Sequence, residues 1–272
     1  MSTPRQSSIA MLLLLLGAGS VIAATPAAAA PNESLRETVI DVEPAIVAVL
    51  AIYENGSANQ GTGFIVRPDG LVVTCNHVIE NATSVEIHWS KHLGRPVETA
   101  TVLARDPQID LAILQLSGRD YPTIPLATLT EIRVGDSVAA LGFPVGDVLG
   151  LTDLTVTRGV ISALRSDANG VVELVQTDAP IAVGHSGGPL FDLDLGAVVG
   201  VLRAKGLEEL DGINFAAALQ SLVTTFPEVT DPSLPILAQV PDAAMAPTAV
   251  EHETVAPSLL EPIEWSQLAR YV

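Results

Sequence analysis

From Ile46 to Ala218 short apolar runs alternate with clusters of glycine, proline, aspartate and asparagine. Runs of four to eight residues rich in Val, Ile and Thr, bounded by turn formers, predict strands. Residues 31–38 read as a polar lead-in. Val39–Ala51 begins as a helical turn and continues, after Pro44, as a strand, and Asn55–Gln60 reads as a turn. Thr62–Val66 and Leu71–Cys75 flank Arg67-Pro68-Asp69-Gly70, with proline early and glycine last, and so predict a hairpin. Further strands are expected at Ser84–His88, Thr99–Arg105, Leu111–Leu116, Ser137–Leu141 and Thr155–Leu164. Others follow at Val172–Gln176, Leu190–Phe191, Ala197–Leu202 and Ile213–Ala216, before a closing helix over Ala217–Phe226. This spacing predicts an all-β barrel or sandwich and excludes βαβ units. The region divides near Tyr121–Glu131 into similar halves, about 39–125 and 131–226, which suggests two barrels within a domain spanning 34–226.

The ends of the chain read differently. Arg5, the apolar run Ile9–Leu16 and the small residues before Ala24 form a signal-peptide pattern over residues 1–23. An uncleaved membrane anchor is the alternative, and either reading exports the domain to the periplasm or the extracellular space. From Pro227 the chain turns acidic and Pro/Ala-rich, with seven prolines in 46 residues, as expected of a tail. Trp265, Leu268 and Val272 at its end are a candidate docking segment.

Of 272 residues 48% are hydrophobic and 16% charged, enough for a sizeable core. A formal net charge of −18 argues against nucleic acid and anionic membrane surfaces as partners. Cys75 is the only cysteine, so no intramolecular disulfide can form, and it reads as a small buried strand residue.

Gly184-His185-Ser186-Gly187-Gly188-Pro189-Leu190 carries the candidate chemistry. A serine among glycines can occupy a tight turn whose backbone N–H groups face a reacting oxygen, but it needs a base and an orienting acid. His77, just past a buried strand, is the best base among five histidines. His88 and His92 have metal-ligand spacing, but Glu86–Trp89 reads as a strand and no H-E-x-x-H is present, so no metal or cofactor is expected. Asp106 precedes proline and reads as a turn residue. Asp110 opens an apolar strand, where a carboxylate needs a partner such as a histidine N–H.

The order His77, Asp110, Ser186 is that of the double-barrel serine proteases. Gly61–Val66, Val73–Ile79, Asp106–Leu114 and Gln176–Leu190 together resemble the trypsin-like serine proteases, specifically the protease domain of the HtrA/Deg family. Gly142–Gly146 and Thr155–Ser162 also match the family's patterns, and the resemblance covers about Val42 to Ala218. It implies two six-stranded β-barrels and a serine endopeptidase with a His77–Asp110–Ser186 triad. The Gly184 and Ser186 N–H groups would form the oxyanion hole. The strand through Val201, Leu202, Arg203, Ala204 and Lys205 would line the specificity pocket. Unfolded or damaged envelope proteins are the implied substrates. Two alternatives stand beside this reading: a non-catalytic chaperone-like or binding module, and a glutamate-specific secreted protease suggested by Arg203 and Lys205. His185 stands where the family usually has Asn, which suggests an oxyanion turn that is held differently or is sensitive to pH near neutrality. The 46 Pro/Ala-rich residues from Pro227 onward are not expected to form the family's PDZ domain. The segment before Val39 lacks the aromatic residues that family trimers use, leaving the oligomeric state open.

Overall fold

The computed structural model describes residues 35–127, 132–145, 153–203 and 212–231. The predicted leader, the tail with its Trp265–Val272 segment, and Ala204 and Lys205 lie outside the described residues.

Twelve strands close into two antiparallel six-stranded barrels. The first contains β1 (Ile46–Ile52), β2 (Ala58–Arg67), β3 (Leu71–Cys75), β4 (Ser84–His88), β5 (Glu98–Asp106) and β6 (Leu111–Gln115), in the order β1-β2-β3-β6-β5-β4. The second contains β7 (Ser137–Gly142), β8 (Thr155–Ser166), β9 (Val172–Thr177), β10 (Pro189–Asp192), β11 (Ala197–Arg203) and β12 (Asn214–Ala218), in the order β10-β11-β12-β9-β8-β7. Burial along the strands explains their two kinds of sequence. β4 alternates, with Val85 and Ile87 inside and Glu86 and His88 toward the surface. β3 and β10 are buried at every position. Strands buried on both faces read as nearly continuous apolar runs, and the two polar side chains they hold, Thr74 and Asp192, are buried and hydrogen-bonded to backbone.

One apolar cluster runs through both barrels, joining Phe64, Val73 and Leu111 of the first to Leu141, Phe143, Phe191 and Val201 of the second. The closing helix, Leu219–Thr225, and the turn after it add Leu219, Leu222, Phe226 and Val229 to that cluster. Arg67 Nη1 then donates to the Glu228 carbonyl (2.9 Å), fastening the end of the described chain to the first barrel.

Three local readings need correction. A helix, α1, occupies Leu35–Val42, starting inside the segment expected to be a polar lead-in. Leu35, Val39 and Val42 recur at helical spacing and pack on the core, which stabilises the turn that precedes Val39. Ala58–Gln60, expected in a turn, extend β2 because Ala58 pairs with Ile52 and Gln60 with Leu50. Ala217 and Ala218 belong to β12, since they pair with Val201 and Gly200, although alanine alone favours helix.

Candidate active site

His77 lies on a single helical turn, α2 (Asn76–Ile79), immediately after β3. Asp110 reaches it from the β5–β6 connection. Asp106 Oδ1 accepts the N–H groups of Gln108 (2.8 Å) and Ile109 (3.3 Å), forming the expected turn. The chain then passes through Asp110 in the left-handed region, φ 59°, a conformation aspartate tolerates better than most residues. Three hydrogen bonds join this residue to the start of α2. The Asp110 carbonyl accepts Asn76 N–H (3.1 Å), Oδ1 accepts His77 N–H (2.9 Å), and Oδ2 lies 2.7 Å from His77 Nδ1. The last contact fixes the tautomer, placing a proton on Nδ1 and leaving Nε2 as the basic nitrogen. Burial pushes the Asp110 carboxyl up. The hydrogen bonds from the His77 ring and backbone N–H and the nearby Arg203 charge outweigh it, so the group stays below the ordinary carboxylate range.

The second barrel brings the serine turn to the same place. Thr62 N–H donates to the Ser186 carbonyl (2.8 Å), and Gly187 N–H donates to the Leu202 carbonyl (2.8 Å). Gly61 is in contact range of both Val78, the neighbour of His77, and the Ser186 carbonyl. Gly187, φ +86°, leaves no room for a Cβ against Thr62 O, Thr74 Oγ1 and Cys75 N. These approaches require glycine and hold Ser186 against the strand end that carries His77. Gly184 (φ +100°) packs on the Phe143–Val145 backbone, and its carbonyl accepts Thr62 Oγ1 (2.6 Å). The same hydroxyl accepts Phe143 N–H (2.9 Å). Thr62 was not singled out from the sequence. The signal was present in Gly61-Thr62-Gly63, because glycines inside a strand mark close backbone approach.

His185 is buried in this turn, with its N–H on the Ala182 carbonyl (3.0 Å). Its Nδ1 lies 3.2 Å from Ala182 O and 3.4 Å from Ala182 N, while Nε2 is buried with no partner among the described residues. Either neutral tautomer therefore leaves Nε2 unmatched. Burial pushes the imidazole pKa down, so the ring is neutral around pH 7.

The remaining candidates fall into place. Cys75 Sγ lies within 4.8 Å of the His77 and Asp110 donor atoms, but the thiol is fully buried and bonds to the Leu202 carbonyl (3.3 Å). Burial pushes its pKa far above the ordinary thiol range, so it stays protonated and is neither nucleophile nor ready metal ligand. His88 sits against Glu86 (3.1 Å) and His92 against Glu43 (3.5 Å). The Val201 and Leu202 side chains are wholly buried in the cores. Arg203, 32% exposed, ends β11 with Nε 3.3 Å from Asp110 Oδ2.

Residues 61–201, about half of the chain, match the trypsin-like peptidase domain family. The "Probable periplasmic serine endoprotease DegP-like" of Chlamydia pneumoniae is 39% identical over 168 residues, 60% of this chain and 33% of that protein. The protein of the same name in Pseudomonas fluorescens is 40% identical over 143 residues, 52% of this chain and 28% of that one. The chain thus spans about a third of the length of these curated relatives. Among solved structures, the HtrA-type protease AlgW with a tripeptide superposes with a TM-score of 0.61 at 27% identity, covering 71% of this chain and 62% of that one. The serine endoprotease from Yersinia pestis superposes with a TM-score of 0.59 at 30% identity, covering 72% and 67%. Two closed barrels, a His–Asp pair on one and a glycine-framed serine on the other accord with these matches: the chain belongs to the trypsin-like peptidase family and is similar to its HtrA-type members.

Proposed function

We propose that the protein is an exported serine endopeptidase that cleaves unfolded polypeptides with Ser186 as nucleophile. The observation that carries this reading is the doubly hydrogen-bonded His77–Asp110 pair held beside the Ser186 turn through the Gly61, Thr62 and Gly187 contacts. In the first half-reaction Ser186 Oγ bonds to the scissile carbonyl carbon while its proton passes to His77 Nε2. Asp110 stabilises the imidazolium. The carbonyl oxygen becomes an oxyanion held by the Gly184 and Ser186 N–H groups. The C–N bond then breaks, and His77 returns its proton to the leaving amine. Water repeats the sequence on the acyl-enzyme, giving the carboxylic acid product and restoring Ser186.

The relatives, named as periplasmic endoproteases, support export and a protein substrate, and the tripeptide in the AlgW structure supports a peptide ligand. Incubation with reduced, unfolded casein tests the proposal. Wild type is expected to degrade it and Ser186→Ala to leave it intact. Equal turnover by both proteins, or by neither, contradicts an endopeptidase role, and binding without cleavage indicates a chaperone-like module.

A further inference from the structure

Arg203 was expected to face substrate, yet its guanidinium is directed at the acid of the catalytic pair. Asp110 Oδ2, the oxygen that meets His77 Nδ1 at 2.7 Å, also lies 3.3 Å from Arg203 Nε. We propose that Arg203 is a positioning residue for the base: it shares the Asp110 carboxylate with His77 and so sets the pH range in which His77 can accept a proton. This inference rests on the endopeptidase reading above.

The placement is built into the fold. Arg203 pairs with Phe215 on β12, and the preceding residue is clamped on both sides, Gly187 N–H to Leu202 O and Leu202 N–H to Gly188 O, each 2.8 Å. Arg203 therefore approaches Asp110 from the second barrel, across the junction, while the aspartate belongs to the first. The contact ties the acid to the serine side of the site. The Asp110 side chain is only 9% exposed and Arg203 32%, so the pair sits where water screens it incompletely.

The electrostatic consequence has a definite sign. Because both nitrogens touch the same oxygen, Nδ1 of His77 and Nε of Arg203 are at most about 6 Å apart. Arg203 is permanently charged, so an imidazolium formed during catalysis meets a cation at that range. Asp110 must then serve two cations at once. Coulomb's law at about 6 Å, between the dielectric limits of water and of a protein surface, corresponds to roughly 0.5–2 pH units. Removing the charge therefore makes the protonated base easier to form and moves the acid limb of the rate profile to higher pH. Cys75, the other titratable group against His77 and Asp110, stays a neutral thiol, and neighbouring His185 is neutral and buried. Asp110, bonded to the His77 ring, and Arg203, bonded to the same carboxylate oxygen, are thus two charges held at fixed places beside the base.

The test is Arg203→Gln, which can place an amide N–H where Nε lies without its charge, beside Arg203→Lys, which keeps the charge. The kcat/KM profile against an uncharged peptide is expected to show its acid limb shifted up by about 0.5–2 pH units in Arg203→Gln, with Lys restoring it. Proton NMR titration of the His77 ring, assigned by its loss in His77→Ala, is expected to move by the same amount. That titration can be read in a Ser186→Ala background, which carries no turnover. An unmoved limb and an unmoved titration overturn the proposal. So does a change confined to KM for peptides with Glu at the cleavage position, which makes Arg203 a substrate-binding residue. If Ser186-dependent hydrolysis is absent but the His77 titration moves, the endopeptidase reading fails and the coupling to Arg203 stands.

Discussion

Thr62→Val isolates the hydroxyl that joins the first barrel to the Ser186 turn. The two side chains have nearly the same shape, so the change removes Oγ1 and little else. That oxygen donates to Gly184 O at 2.6 Å and accepts Phe143 N–H at 2.9 Å, in a fully buried position. Without it, a buried carbonyl and a buried N–H both lose a partner. At about 1–3 kcal/mol for each orphaned group, moderated by relaxation of the turn, the loss comes to about 2–4 kcal/mol. For a domain of this size that is a fall in Tm of roughly 4–16 °C. The catalytic effect follows from the same geometry, because the Gly184 carbonyl belongs to the peptide that lies between the two presenting the proposed oxyanion donors, the N–H groups of Gly184 and Ser186. Losing the aim of one such donor lowers the rate by about 10²–10³-fold. Thermal melts and the rate of fluorophosphonate labelling read both consequences, with Thr62→Ser as the control that keeps the hydroxyl. A Thr62→Val protein equal to wild type in both measurements refutes the strut.

Two other perturbations test separate links. His185→Asn is expected to flatten the acid side of the stability curve. The buried ring titrates below its unfolded value of about 6.5, so the unfolded chain takes up the proton first as pH falls. Its contribution to stability is thus lost from about pH 6.5 downward. Tm measured from pH 7.5 to 5 should fall more steeply in wild type than in His185→Asn, and parallel curves contradict the burial argument. Gly187→Ala and Gly196→Ala both force a positive φ, +86° and +65°, but a Cβ at Gly196 meets nothing within 4 Å. Melts should show a loss of about 1 kcal/mol for Gly196→Ala and a much larger one for Gly187→Ala. Similar losses in the two contradict the close packing of Gly187 on the first barrel.

The barrels were legible because each strand is a short run closed by its own turn chemistry. The hairpin at Arg67–Gly70 shows this locally: Gly70 N–H bonds back to Arg67 O at 3.0 Å with the glycine at φ +89°. That Asp110, and not Asp106, meets His77 was legible for a similar reason, since a carboxylate before proline caps its own turn and one opening a buried strand needs a partner. What the sequence concealed depends on contacts between barrels. Arg203 and Asp110 are 93 residues apart, and nothing near either predicts that the guanidinium turns inward to the acid. The helical turn that carries His77 was hidden because four residues are too few to show a period. The burial of His185 was concealed too, because a polar residue on a glycine turn reads as exposed until the barrel that covers it is in place.

Mass spectrometry of the native protein after treatment with a fluorophosphonate gives the most direct reading of the proposed triad. Phosphonylation is expected on the peptide containing Ser186 in wild type, and to fall by several orders of magnitude in His77→Ala, where no base takes the proton. Labelling of Ser186 that is indifferent to His77, or wild-type protein that takes up no label there, contradicts a catalytic His77–Asp110–Ser186 site.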